Sequence, residues 1–421
     1  MKKLVSMLML TAMLCGATFI FTGCKTSREN VLKICTWEAY TDKKFVQKNF
    51  GYTNPETGKK MKVQFEIFNT NEELYENLMT NKVDYDLICP SDYMVEKLLQ
   101  GDMLLKLDKN IISGYETELE PDILKKVEGF DPNKEYAFPY AWGTFGIMYN
   151  TAIKGVAVTD PADMVSLNAL WNLKPDGKTE AAYKNKIYMK FSVRDAFAAA
   201  NIYMRADDIK AAVGGDWANP NYKSTEYQTL LNSLFAEPDQ ATIDAIGQTL
   251  VDQKKVFFDY EDENGKESMA KNKAEAYLGL FWSCDAGYAM QKNKTQTIRY
   301  SIPREGANFY VDSFVIPKYA KNVTAAQHFL KFLMSKETAY ANTMASGASG
   351  TVISANKTIR EELENSNEGF LKNAPADFRK NYIDSVMFPD SDTLDRCAIM
   401  RAFSDAGTAN VTNKFMYVKS A

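Results

Sequence analysis

The chain predicts an α/β protein of two lobes, each a mainly parallel sheet flanked by helices, with two extended segments crossing between them. Three observations lead there. Short apolar runs of strand length alternate with helical stretches, the pattern of βαβ units and of parallel sheets covered on both faces. At 421 residues the chain is too long for one core of ordinary size. Two long, mainly apolar runs, 138–150 and 309–317, lie about 160 residues apart, so the chain can leave a first lobe, build a second and return.

In chain order, residues 31–35 read as a strand and 40–50 as a helix. Residues 62–68 alternate as a second strand and 71–79 are helical. A short apolar run at 85–89 suits a buried parallel strand, and a helix follows at 94–100. Sheets of this kind bind ligands beyond the carboxyl ends of their strands. That rule nominates Trp37, Glu38, Ala39 and Tyr40 after the first strand, and Pro90, Ser91, Asp92 and Tyr93 after the third. Between the crossings, 186–190 and 275–282 read as strands, and 196–204 and 241–253 as helices. The acidic run 259–265 reads as a solvated loop, while 324–334 and a tail from 357 onward read as helical.

The N-terminus has the shape of a lipoprotein signal. Met1, Lys2 and Lys3 make a basic start, residues 4–21 are apolar or small, and Phe21-Thr22-Gly23-Cys24 closes the run before polar Lys25. Cleavage before Cys24 would remove Cys15 with the signal and leave Cys24 to carry acyl chains. The expectation is a signal peptide over 1–24, a linker over 25–30, and a periplasmic protein anchored to a membrane by lipid on Cys24. No later segment approaches the roughly 18 apolar residues a membrane span needs.

Composition removes several functions. Lys plus Arg number 50 against 54 for Asp plus Glu, a net charge of −4, with both signs interspersed and no basic stripe, so nucleic acid is not an expected partner. Cys35, Cys89, Cys284 and Cys397 show no CxxC or zinc-like spacing, and Cys35 and Cys89 read as buried thiols. The single histidine, His328, sits in a helical stretch beside Phe329 and Leu330, so histidine-dependent nucleophilic and zinc chemistry lacks its parts. There is no Walker loop, GxSxG elbow or GxGxxG after a strand. A binder is expected, not an enzyme, with neither cofactor nor metal, and as a monomer.

Five segments occur in order across the chain: Trp37-Glu38-Ala39-Tyr40; Asp86 through Tyr93; Pro139-Tyr140-Ala141-Trp142-Gly143; Gly279-Leu280-Phe281-Trp282; and Pro303-Arg304-Glu305-Gly306 continuing through Asp312-Ser313-Phe314-Val315-Ile316-Pro317. The ordered set resembles the spermidine/putrescine-binding proteins of bacterial ABC importers. The resemblance implies the type II periplasmic-binding fold, a polyamine in the cleft and a membrane permease as partner. It implies lobe 1 at 31–142 and 311–352, and lobe 2 at 143–310 and 353–421. The family's aromatic box falls on Trp37, Tyr40, Tyr93, Trp282 and Tyr310, with Tyr310 where a tryptophan is usual. Its inner acid falls on Asp312 and its second-lobe acids on Ser192 and Asp195, so a hydroxyl replaces one carboxylate. A family glutamate falls on Ala39, with Glu38 adjacent; a C-terminal tyrosine falls around 348–350 and a glutamine around Met400. These departures are expected to hold one end of the ligand less firmly, leaving putrescine and spermidine within about tenfold of each other, or 1.4 kcal/mol.

The chemistry is coherent. A polyamine is a string of ammonium groups joined by methylenes; buried cations need acceptors, and ring faces attract cations while covering the carbons between them. A carboxylate inside an apolar strand is unusual without a partner, which makes Asp312 the strongest signal. Asp195 could equally be a helix-start residue, Asp92 is favoured as a helix cap, and Trp142 as hinge packing. Other small organic solutes, or a sensor or adhesin that keeps the fold, remain alternatives.

Overall fold

The computed structural model describes residues 28–80, 83–151, 161–261 and 264–421, so Cys24 and the apolar run before it lie outside the described residues. Val31–Thr36 is the middle strand of a three-stranded parallel sheet, paired along its whole length with Lys62–Ile67 and on its other edge with Leu87–Ile88. The apolar run expected as a strand over 85–89 joins the ladder at only two residues. On its near side Asp86 turns its carboxylate to the backbone N–H groups of Lys33, Lys321 and Asn322; on its far side Pro90 has no N–H to offer.

The first helix begins later than residue 40. Asp42 accepts the Phe45 backbone N–H at 2.9 Å and so caps a helix at Lys43–Asn49. This leaves Tyr40 in the preceding loop, free to turn inward. Asn71–Met79 is helical as expected, capped by Thr70, and Asp92–Gln100 follows the third strand.

The first crossing is one 13-residue strand, Phe138–Asn150, and it changes partners along its length. Its first half pairs antiparallel with the second crossing, Ala307–Phe314, with Tyr310 opposite Gly143 and Asp312 opposite Ala141. Its second half pairs with Leu278–Trp282, Phe145 facing Trp282, and with Ile298–Ser301. Asp312 and Ser313 pair with Ala141 and Pro139, so Tyr140 is the extra residue of a bulge in the first crossing, a device that re-aims a side chain. Beyond Leu278–Trp282 the sheet continues in parallel through Ile187–Lys190 to Asp259–Glu261.

That last strand corrects the expectation of a solvated loop over 259–265. Glu261 is only 1% exposed, because Lys190 on the neighbouring strand supplies the counter-charge that makes burial tolerable, and a helix at Asn264–Ala270 follows. One apolar core draws on residues between 32 and 138 and between 314 and 355, including Leu32, Phe138, Phe314 and Phe329. A larger one runs from Leu74, Val95, Leu98 and Ile123 through the eight-stranded sheet to the helices Val193–Met204 and Gln240–Gln253. Among the described residues no helix is long and apolar enough to cross a membrane.

Candidate functional site

The carboxyl ends of the strands, the bulge and the crossing segments bring most of the nominated residues into two groups. The first surrounds Asp312, which is 4% exposed. The Tyr40 hydroxyl donates to its Oδ2 at 2.5 Å, while Oδ1 is buried and accepts no hydrogen bond. Burial pushes the Asp312 carboxyl up to about 6; the hydroxyls of Tyr40 and nearby Ser91 favour the charged form and limit the rise. Burial and the neighbouring Asp312 together hold the Tyr40 phenol well above its usual range, so it stays a donor.

Rings enclose this acid. Trp37 is half-buried against Phe68, ring centroids 4.3 Å apart, and its indole N–H is buried without an acceptor. Tyr310 folds its hydroxyl over Gly143 and toward Ser283, in space a β-carbon at position 143 would need; glycine is required there for that reason. Tyr140 lies beside Tyr40 at 6.2 Å between centroids and donates to its carbonyl oxygen. Ala39 takes a positive φ of 55°, the left-handed turn that lets Trp37 and Tyr40 both face inward. Glu38, on that turn, is exposed and does not join the group.

The second group is built on the N-terminus of the helix Val193–Met204. Ser192 caps it, accepting the Asp195 N–H at 3.5 Å, so the hydroxyl is committed to the helix start. Asp195 is 5% exposed and accepts the Trp282 indole N–H at 3.2 Å; burial raises its carboxyl above the usual range. Beneath Trp282 stands Lys190, its ammonium 3.8 Å from the ring centroid and 2.8 Å from both Glu261 and Asp285.

Tyr93 connects the two sides. Its hydroxyl accepts from Asn71 at 3.0 Å and donates to Glu72 at 3.1 Å, and the Arg194 guanidinium lies 4.4 Å from its ring. Arg194 also stacks on Phe403 at 3.6 Å, and among the described residues it forms no ion pair. Ser91 meets Asp312 through a backbone bridge and accepts from Asn71 at 3.1 Å. Asp92 does not cap its helix from the N-cap position, which Ser91 holds; it accepts the N–H groups of Tyr93 at 2.7 Å and Val311 at 3.4 Å. Burial, reinforced by Asp312, holds the Asp92 carboxyl well above its usual range.

Two residues escaped the sequence reading as parts of the site. Lys190 ends an apolar strand, the same signal that singled out Asp312. Cys284 packs into the Tyr40 group and carries no sequence signal, while Ala348, in the stretch where the resemblance puts a family tyrosine, packs there too. Trp142 is hinge packing as expected, stacked on Phe309 at 5.2 Å with its N–H on the Gly350 carbonyl. His328 lies elsewhere, stacked on Tyr52 at 4.6 Å.

Rings around a buried acid with an open oxygen make a group suited to holding a cation with apolar carbons beside it. Residues 56–375 match the family of bacterial extracellular solute-binding proteins, and the chain belongs to that family, whose members bind and do not catalyse. It is 27% identical over 366 residues, 87% of this chain and 85% of the relative, to the spermidine/putrescine-binding periplasmic protein of Escherichia coli K12. It is 29% identical over 310 residues, 73% of this chain and 74% of the relative, to the putrescine-binding periplasmic protein SpuD of Pseudomonas aeruginosa. Among solved structures, the spermidine/putrescine substrate-binding protein PotD of Streptococcus pneumoniae superposes with a TM-score of 0.64 at 24% identity, covering 93% of this chain and 99% of that one. The Tp0655 lipoprotein of Treponema pallidum superposes with a TM-score of 0.64 at 16% identity, over 92% and 99%. These two likenesses establish the fold, and with it the two-lobed type II architecture.

Proposed function

We propose that this protein captures polyamines of the spermidine and putrescine kind in its interlobe cleft and delivers them to the permease of an ABC importer. The observation that carries the reading is Asp312: a buried carboxylate with one oxygen on Tyr40 and the other without a donor, enclosed by Trp37, Tyr40 and Tyr310. An ammonium group satisfies the open oxygen, and the rings cover the methylenes beside it while attracting the cation by about 0.5–2 kcal/mol each. Trp282 and Asp195 form the opposing wall, with Tyr93 and Ser192 at its margins and Ser91 beside Asp312. The polyamine names of the Escherichia coli and Pseudomonas aeruginosa relatives support the same ligand class.

The lobes are assigned to 31–142 with 311–352, and to 143–310 with 353–421. One apolar core whose buried members all fall within 32–138 and 314–355 supports that division, while the larger core continues across it at Leu74, Val95 and Leu98. Lipid on Cys24 is the anchor, supported by the small residue and apolar run before it. Intact-mass measurement of protein from membranes tests the anchor directly.

Calorimetric titration of ligand-stripped protein with putrescine, spermidine and spermine tests the function. Saturable heat from one site is expected with at least one of them. Folded, ligand-free protein that takes up none of the three overturns the reading.

A further inference from the structure

Buried carboxylates set how many ammonium groups a cleft can receive. Asp285 holds Lys190 on one oxygen and Lys266 on the other, each at 2.8 Å, and Glu261 holds Lys190 at 2.8 Å. Lys190 is 3% exposed and stands 3.8 Å from the Trp282 ring centroid. Two acids of the second lobe, and one face of its tryptophan, are therefore already occupied by ammonium groups of the protein. Burial alone would strip Lys190 of its proton, but Asp285 and Glu261 outweigh it and keep the amine charged.

Three buried carboxylates near the cleft form no ion pair among the described residues: Asp312, Asp195 and Asp92. Asp92 spends its oxygens on two backbone N–H groups, and Arg194 is the cation closest to its field. That leaves Asp312, at the first-lobe end, and Asp195, beside Trp282. Along the first crossing strand Asp312 pairs with Ala141 and Trp282, whose indole N–H reaches Asp195, pairs with Phe145, four residues or about 13 Å of strand further on.

Resting on the polyamine reading above, we infer that Lys190 is a resident cation that fixes the ligand as a diamine: one ammonium on Asp312, the other on Asp195, and no further fully buried carboxylate open to a third. A third ammonium near Trp282 meets Lys190 and Lys266 in place of acceptors, and like charges in a desolvated site repel strongly. Replacing Lys190 with a neutral chain of similar length opens the Trp282 face and removes one ammonium from beside Glu261 and Asp285, so the inner or far amine of a triamine can take the vacated position.

Competition binding on ligand-stripped parent and Lys190→Met, with putrescine, cadaverine and spermidine as probes, tests this. The parent is expected to hold a diamine at least tenfold tighter than spermidine, and Lys190→Met to move the ratio at least tenfold toward spermidine. A parent that prefers spermidine overturns the inference whether or not the variant folds, and leaves the polyamine reading standing. A folded Lys190→Met with an unchanged ratio also overturns it. A Glu261→Gln, Lys190→Met double variant, which removes a buried acid along with its partner, supplies the second arm and is expected to lose the gain for spermidine. Parent protein that binds none of the three probes sinks the polyamine reading itself.

Discussion

The Tyr40 hydroxyl donates to Asp312 Oδ2 at 2.5 Å, joining the loop after the first strand to the second crossing, 272 residues further along the chain. This contact holds a buried carboxylate in one orientation with its other oxygen open. Substituting Asp312→Asn removes the charge while keeping the shape. Affinity for a polyamine should fall by about 3–5 kcal/mol, the usual consequence of leaving the partner of a buried charge unmatched. Calorimetry on the folded variant checks it, and binding within threefold of the parent would make Asp312 a structural residue.

Protonation of the same group gives a pH dependence with a definite sign. Its carboxyl is pushed up to about 6 in the fold, against about 3.9 in an unfolded chain. A raised acid costs the fold nothing below the lower value and about 3 kcal/mol once both states are ionised, so its contribution to stability is lost as pH rises from about 4 to 6. Chemical denaturation of ligand-free protein should therefore show Asp312→Asn gaining on the parent across that window. Ligand affinity moves the other way: an ammonium favours the ionised form, so binding should weaken about tenfold per unit below pH 6. Asp195, raised by the same burial, steepens the fall. A flat affinity between pH 5 and 7 would contradict the assignment of Asp312 as an ammonium acceptor.

Trp37→Ala and Trp282→Ala should each cost about 1–3 kcal/mol of affinity, from lost ring-face attraction and methylene cover. Ligand should also shift the intrinsic fluorescence of the parent. If neither substitution alters affinity and the spectrum stays still, the rings do not line the ligand.

Lys190→Ala leaves Glu261 and Asp285 buried with Lys266 as the remaining cation at Asp285. Unfolding free energy should fall by about 3–5 kcal/mol, read from urea melts, with Lys190→Met losing less through retained packing. A melt unchanged from the parent would show that the cluster is solvated and carries no buried charge.

The sequence was legible where a pattern is local. The strand Phe138–Asn150 is recovered to the residue because 13 mainly apolar residues leave little else for it to be. Asp312 stands out for the mirror reason, a carboxylate among apolar neighbours. What could not be read depends on pairs distant in sequence. Glu261 looks like one more charge in an acidic run until Lys190, 71 residues away, lies beside it. Ser192 reads as a substitute for a ligand-binding acid, yet its position before Val193 makes it a helix cap first. Glu38 sits next to Trp37 in sequence, but the left-handed turn at Ala39 sends it to solvent.

A crystal structure of the protein with a bound diamine tests the central claim most directly. The account predicts an ammonium nitrogen about 3 Å from Asp312 Oδ1, with the Trp37 and Tyr310 rings along the methylenes and Tyr40 still donating to Oδ2. A diamine bound elsewhere, with Oδ1 of Asp312 still without a donor, would contradict it.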